Sequence, residues 1–441
     1  MNLILAALVC FLAGFTDVKL FDVQTVELCV VAALGLSVLS RPTTGTGPPE
    51  IVRSAVPKFL WMFFFMLAGS ALSLRLTFYP PSNIGFLKLP PYGTFVRAAQ
   101  VMIAVSSMFV VAFAVHNDPR NLKRLMAAYV WCGLVNAGWG IASFAAWPFE
   151  IELPGVGSEP IPRLRGFFVE GGPFGVYMTS VALIQYIRYS YLKHISFPVF
   201  AMQAAVIAIG LVGSQSKSAV LILFFLGALY LVLERQFRIL VIMAIIAVPA
   251  AWASNLFAGI AGYVENFQGF ASAARLRPED ANLVMGRLMA SILLPRMIAE
   301  HPWLGIGIGN YSVVRNDPSI LRGLPTVNEW DLHGLGILGY LAELGIPLTA
   351  YVMYLYAYPA LLARKGRKWI LLLGAYPLLA ALFGVQINFA YPWIVAGLTL
   401  AAVGIQRSAS SSLPVMRAPQ PHARRPIMGL KSVRSRSRLR S

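Results

Sequence analysis

The sequence predicts an all-α, polytopic membrane protein of about twelve transmembrane helices, with a large extracytoplasmic loop between helices nine and ten. Three observations carry this. The 441 residues are 58% hydrophobic and only 12% charged, where a soluble domain carries roughly 25% charged residues. Long apolar runs recur, among them FLWMFFFMLAGSAL at 59–72 and AVLILFFLGALYLVL at 219–233, and about 20 such residues span a bilayer. Backbone in lipid must satisfy its own hydrogen bonds, which selects helices for these runs.

The helices are expected at 2–16, 24–40, 57–76, 97–116, 122–146, 172–188, 197–213, 217–233, 238–255, 333–360, 368–385 and 388–406. The first, beginning MNLILAALVCFLAGF, has no basic leader and no small-residue cleavage site, so it reads as a retained helix. Cys10, Cys29 and Cys132 fall inside apolar segments and read as small buried hydrophobes. Lys and Arg gather in alternate short connections: 41–58, HNDPRNLKR (116–124), RYSYLKH (188–194), ERQFR (234–238) and ARKGRK (363–368). With the tail, that side holds 23 of the 36 Lys and Arg. It is therefore cytoplasmic, and so are both termini. Residues 1–406 form the membrane domain; the Ser-, Pro- and Arg-rich tail 407–441 cannot bury a core, is expected to be disordered and could touch anionic lipid. No aromatic residue is interleaved with its arginines, so nucleic acid is not an expected partner.

The other side carries loops at 77–96, 147–171, 214–217 and 256–332. Within the last, 286–302 is an expected amphipathic helix, with Leu288, Ile292 and Ala299 on one side, able to lie along the membrane surface. Cations cluster here against the positive-inside tendency: Arg163, Arg165, Lys217, Arg275, Arg277, Arg287, Arg296, Arg315 and Arg322. Guanidinium forks grip phosphate oxygens, so Arg165, Lys217 and Arg287, at helix mouths, point to a lipid-linked pyrophosphate. The alternative is pairing with loop acids such as Glu150, Glu159, Glu279 and Asp280.

HPWLGIGIGNY (301–311) spaces Gly305, Gly307 and Gly309 like a phosphate loop, but it lacks the strand and soluble α/β unit a nucleotide site needs. Its glycines instead suit a turn requiring positive φ and close backbone approach. His333 stands where the long loop re-enters the membrane, after Glu329 and Asp331, and is the general-base candidate. His116, His194 and His422 fall on the cytoplasmic side, and His301 reads as a helix-end residue. Glu343, on the order of 15 Å further along a helix, is an intramembrane acid and functional by default; its structural alternative is a hydrogen bond to a residue such as Asn136 or Gln386.

The order of these parts resembles the O-antigen ligase and O-antigen polymerase superfamily, polytopic glycosyltransferases of the GT-C kind. The resemblance spans roughly 165–400: RGFF (165–168), SQSK (214–217), Arg287 ahead of HPWLGIGIGNY, and His333 before AELG (342–345). It implies a bacterial cytoplasmic-membrane enzyme whose site faces the periplasm. Such an enzyme transfers a glycan from undecaprenyl pyrophosphate to a sugar hydroxyl, on lipid A core or on another lipid-linked repeat. It implies inversion, no metal and no cofactor, and partners among polysaccharide-assembly proteins. Arg165, Lys217 and Arg287 would clamp the pyrophosphate, and His333 would orient or deprotonate the acceptor. Lys217 departs from the family's usual Arg. Twelve helices also suit a transporter or flippase for polysaccharide intermediates, for which repeated halves and midplane polar groups are expected; the long loop breaks that symmetry. A passive assembly subunit leaves the outward arginines unexplained.

Overall fold

A computed structural model describes residues 3–411 apart from 21–22, 40–49, 83–84, 150, 152, 154, 158–162, 240–268, 281–283, 329–330, 332–333 and 365. The ninth expected helix (238–255), Glu150, Glu159, Glu329, His333, His422 and the tail beyond 411 thus lie almost wholly or wholly outside the described residues. The protein is 75% helical with almost no strand, as the composition requires.

The helices are α1 (Leu3–Phe11), α2 (Thr25–Leu39), α3 (Glu50–Leu76), α4 (Tyr92–Asn117), α5 (Asn121–Ala146), α6 (Gly171–Ser190), α7 (Phe197–Gly213) and α8 (Lys217–Leu233), then α9 (Gly286–Glu300), the single turns α10 (Tyr311–Val314) and α11 (Pro318–Leu321), and α12 (Ile337–Ala363), α13 (Lys368–Leu382) and α14 (Ala390–Ser411). Among the described residues, four helices are long and apolar enough to cross a membrane: Glu50–Leu76, Tyr92–His116, Asn121–Phe149 and Ile337–Ala363. Shorter apolar helices include Phe197–Gly213 and Lys217–Leu233. Where the chain is described, each expected helix has a counterpart. The largest differences are an α3 that starts seven residues early, with Pro57 inside it, an α1 that ends five residues short, an α4 that starts five residues early, and an α14 that runs five residues into the expected tail.

Small residues set the close packing that apolar association in lipid depends on. A Cβ at Gly133 of α5 would lie 2.6 Å from Val181 of α6, and one at Gly397 of α14 would lie 2.5 Å from the Met108 carbonyl of α4. The cysteines are free; Cys10 and Cys132 are buried and Cys29 is half-buried. Two short antiparallel hairpins decorate the bundle, β1 (Lys19–Leu20) with β2 (Val23–Gln24) and β3 (Val156–Gly157) with β4 (Arg163–Leu164). The second delivers Arg165 to the start of α6.

The amphipathic segment departs from expectation. Helix α9 buries Met289, Ala290, Leu293, Leu294 and Met297 in a second core shared with Ile306, Tyr311, Ile320 and Ala342. Leu288 and Ile292 are half-buried and Ala299 is exposed. Its apolar face therefore packs on the protein's own loop and on α12, and is shifted one position along the helix from the expected stripe.

The three glycines explain the shape of α12. That helix breaks at Gly345, with φ 72° and ψ 172°, just before Pro347. In an unbroken helix Ile346 N–H would donate to Ala342 O. Here Ile346 donates to Pro302 O at 2.8 Å, while Ala342 O accepts Ile306 N–H at 2.8 Å. The glycine loop thus inserts its backbone into the break and satisfies both orphaned groups, which is what buried non-helical backbone at membrane depth demands. Gly305 has φ +67°, and a Cβ there would lie 2.5 Å from the Glu343 carbonyl group. Gly305→Ala should therefore cost more than ~1 kcal/mol of stability, read as a lowered thermal midpoint of the purified protein in detergent. An unchanged midpoint would mean the loop does not fill the break.

Candidate functional site

The Arg165 segment is held first by α5. Asn136 Oδ1 accepts Phe167 N–H at 3.0 Å, and the Phe167 ring stacks on Trp139 at 5.5 Å and on Phe15 at 4.7 Å. Arg165 then bridges the turn into α6 by donating Nη1–H to Val169 O at 3.0 Å. Its Nε has no hydrogen-bond partner among the described residues. The chain enters α6 through Glu170, an extended N-cap residue whose side chain makes no capping bond.

Two further helices begin against this turn. Ser216 is the N-cap of α8; its hydroxyl accepts Ala219 N–H at 3.3 Å and donates to Gly172 O at 3.0 Å. This sets Lys217, exposed, on the first residue of α8. Helix α9 starts at Gly286, and its second residue, Arg287, reaches back to Glu170 with Nη2 3.3 Å from Oε2. Both side chains of that pair remain more than half exposed, at 52% and 60%. A Cβ on Gly172 would lie 2.8 Å from Arg287 Nη2, and one on Gly334 would lie 3.2 Å from Arg287 Nε. Glycine at 172 is therefore what leaves room for the guanidinium over the first turn of α6.

Three helix starts, those of α6, α8 and α9, therefore meet near the residues expected to form the clamp. Arg287 contacts Glu170, Ser216 beside Lys217 bonds Gly172, Arg165 lies in the turn ahead of α6, and Gly334 abuts Arg287. Each helix start contributes the positive end of its dipole, which favours an anion, although Ser216 and Asp331 already take one N–H each at α8 and α9. His333 itself lies outside the described residues.

Gly305, Gly307 and Gly309 are buried, with α3 bonding the loop through Ser73 Oγ to Gly305 O at 2.8 Å and Ser70 Oγ to Ile308 N–H at 3.3 Å. The backbone it approaches closely is that of α12, whose Glu343 carboxylate accepts N–H bonds from Gly309 and Tyr311 and interacts with Arg97. Asn136, suggested as a partner for Glu343, is committed to Phe167 and to Cys132 O.

Most other outward arginines are spent on the protein itself. Arg315 is fully buried and pairs with Asp331, and it also donates to Val284 O. Asp331 Oδ1 in turn accepts Gly286 N–H at 3.1 Å, so the acid expected to orient His333 is held by Arg315 and by the start of α9. Arg296 donates to Ile320 O at 2.7 Å and Leu321 O at 2.8 Å; burial, then Arg322 and Arg275, push its pKa down. Arg322 faces Glu300 at 3.9 Å, and Arg275 donates to Arg322 O at 3.2 Å. Their partners include main-chain carbonyls, Asp331 and Glu300.

Glu170 and Arg97 were the residues the sequence did not flag. An acid directly before an apolar helix is a readable N-cap signal, but its distant cation is not. His301 ends α9 as expected, donating N–H to Met297 O at 2.8 Å. Among the described residues no three His, Cys, Asp or Glu side chains gather as a metal-holding group. Compared with known proteins, the chain matches no family model and no curated protein.

Proposed function

We propose that the protein is a twelve-span glycosyltransferase of the O-antigen ligase or polymerase kind. In this reading it sits in the bacterial cytoplasmic membrane with both termini inside and the site facing the periplasm. It moves a glycan from undecaprenyl pyrophosphate to a sugar hydroxyl. The observation that carries the proposal is the meeting of three helix starts that bring Arg165, Lys217 and Arg287 around one turn. In the transfer the acceptor oxygen attacks the anomeric carbon opposite the leaving group, which inverts it. The carbon–oxygen bond to the diphosphate breaks, and the acceptor proton passes to a base, assigned to His333. The cations and helix ends stabilise charge as it builds on the departing diphosphate.

Purified protein with a lipid-linked glycan donor tests this directly, by appearance of product glycan. No turnover with any such donor, together with unchanged surface glycan in the deletion strain, would sink it. The same deletion separates the two forms. Polymer accumulating on the carrier indicates a ligase; single repeats left on carrier or core indicate a polymerase.

Glu170 acts here as the resting counter-ion of Arg287, to be displaced by diphosphate. An exposed pair is worth about 0.2–1 kcal/mol. Glu170→Gln should therefore lower donor KM by roughly up to fivefold with kcat little changed. A higher KM in steady-state assays would mean that Glu170 contacts substrate.

The break in α12 is the one observation that favours transport, since discontinuous helices build transporter sites. It is filled by the protein's own loop, which leaves the enzyme reading ahead. Flux of lipid-linked glycan across proteoliposomes, without product formation, would reverse that order.

A further inference from the structure

At the end of α6 opposite the candidate site, about 30 Å away along the helix, Arg188 is only 5% exposed. Its Nη1 donates to Gln185 Oε1 at 2.9 Å, and Gln185 is fixed in turn by donating to Gln203 Oε1 of α7 at 2.6 Å. Its Nε is buried with no hydrogen-bond partner. Among the described residues no carboxylate pairs with it. The carbonyls ending α6 do not serve it either: Ile187 O accepts Tyr191 and Leu192 N–H, and Arg188 O accepts His194 N–H at 2.9 Å. Glu234, bonded to Tyr191, is held by Lys368 Nζ at 2.9 Å.

The charged groups around Arg188 are instead positive or titratable to positive. Lys123 at the start of α5 and His194 beyond α6 are exposed. Burial, followed by Arg188 and Lys123, holds the His194 pKa below its ordinary value. A buried guanidinium fixed by a glutamine pair, lacking a counter-charge and flanked by two surface cations, is an incomplete ion site. Its planar N–H edge suits phosphate oxygens, and basic pockets between membrane helices take anionic headgroups.

We propose that Arg188, Lys123 and His194 hold the phosphate of an anionic phospholipid in the leaflet opposite the candidate site. The site rests on the two ends of α6 lying at opposite faces of a membrane-embedded bundle and is independent of the glycosyl-transfer proposal. The phosphodiester oxygens would meet the part of the guanidinium that reaches the surface, with Lys123 and His194 at the rim and the acyl chains beside α6 and α7.

The test uses the full chain in detergent with phosphatidylglycerol, phosphatidylcholine or inorganic phosphate added separately. Phosphatidylglycerol should raise the thermal midpoint and leave one lipid bound in native mass spectra. Phosphatidylcholine and millimolar phosphate should do neither. Lys123→Gln, at an exposed position, should cut retained lipid at least threefold, and Arg188→Gln should abolish retention; Arg364→Gln, a surface cation outside the cluster, should leave it unchanged. Equal retention in wild type, Lys123→Gln and Arg188→Gln would overturn the site. An equal midpoint shift with inorganic phosphate would overturn the lipid as its occupant.

Discussion

Arg287→Ala should reduce glycan transfer from a lipid-linked donor by about 100- to 1,000-fold, the usual cost of removing one donor from developing negative charge, while the protein stays folded. The folding half follows from exposure. Arg287 is 52% exposed and its partner Glu170 is 60% exposed, so truncation strands no buried charge, and surface pairs are worth little. The catalytic half follows from position. The guanidinium lies between the first turn of α6 and Gly334, where a departing diphosphate would find it along with Arg165, Lys217 and three helix starts. Arg287→Lys keeps the charge but loses the fork, and should fall between wild type and alanine. Turnover and thermal midpoint measured on the same preparations check both halves. Full turnover by the alanine variant would remove Arg287 from the clamp.

Breaking the Arg315–Asp331 pair should produce the largest loss of stability, about 3–5 kcal/mol for either Arg315→Met or Asp331→Leu alone. Arg315 is fully buried and Asp331 nearly so, and either single change leaves the other charge without its partner. The pair also ties three strands of the long loop together: Arg315 to Val284 O, Asp331 to Gly286 N–H, and Asp331 N–H to Ser312 Oγ at 2.9 Å. The double variant Arg315→Met/Asp331→Leu should recover most of the stability, because an apolar pair removes both desolvation costs. It should not recover full transfer. Gly286 would lose the acceptor that fixes the start of α9, one residue before Arg287. Thermal unfolding in detergent and turnover of the three variants separate these effects. Unchanged midpoints in both single variants would show that the pair contributes nothing to the fold.

The glycines of HPWLGIGIGNY mark how far sequence reasoning reached. Their spacing showed a need for bare backbone and positive φ, and the residues indeed have φ +67°, +83° and +79°. What the backbone approaches could not be read, because the missing helical hydrogen bond it fills belongs to α12, some forty residues further on. Arg315 shows the same limit. As one more outward cation in a loop it resembled Arg287 in sequence, yet one is fully buried on Asp331 and the other faces an open turn. The difference is which carboxylate the fold brings near. For α9, periodicity announced an amphipathic helix but not what would cover it; the second core, not a membrane surface, takes its apolar face.

By itself the sequence determined the helical class and the places of most described helices, since apolar run length and the cost of unpaired backbone in lipid are local properties. Only the tertiary structure decided which of the loop cations are tied to the protein's own acids and which stay open. That choice rests on contacts between helix starts distant in the chain, on the glycines that let Arg287 lie across α6, and on the acids that claim Arg315 and Arg322. Pairing energies depend on distance in space, and no spacing along the chain encodes it.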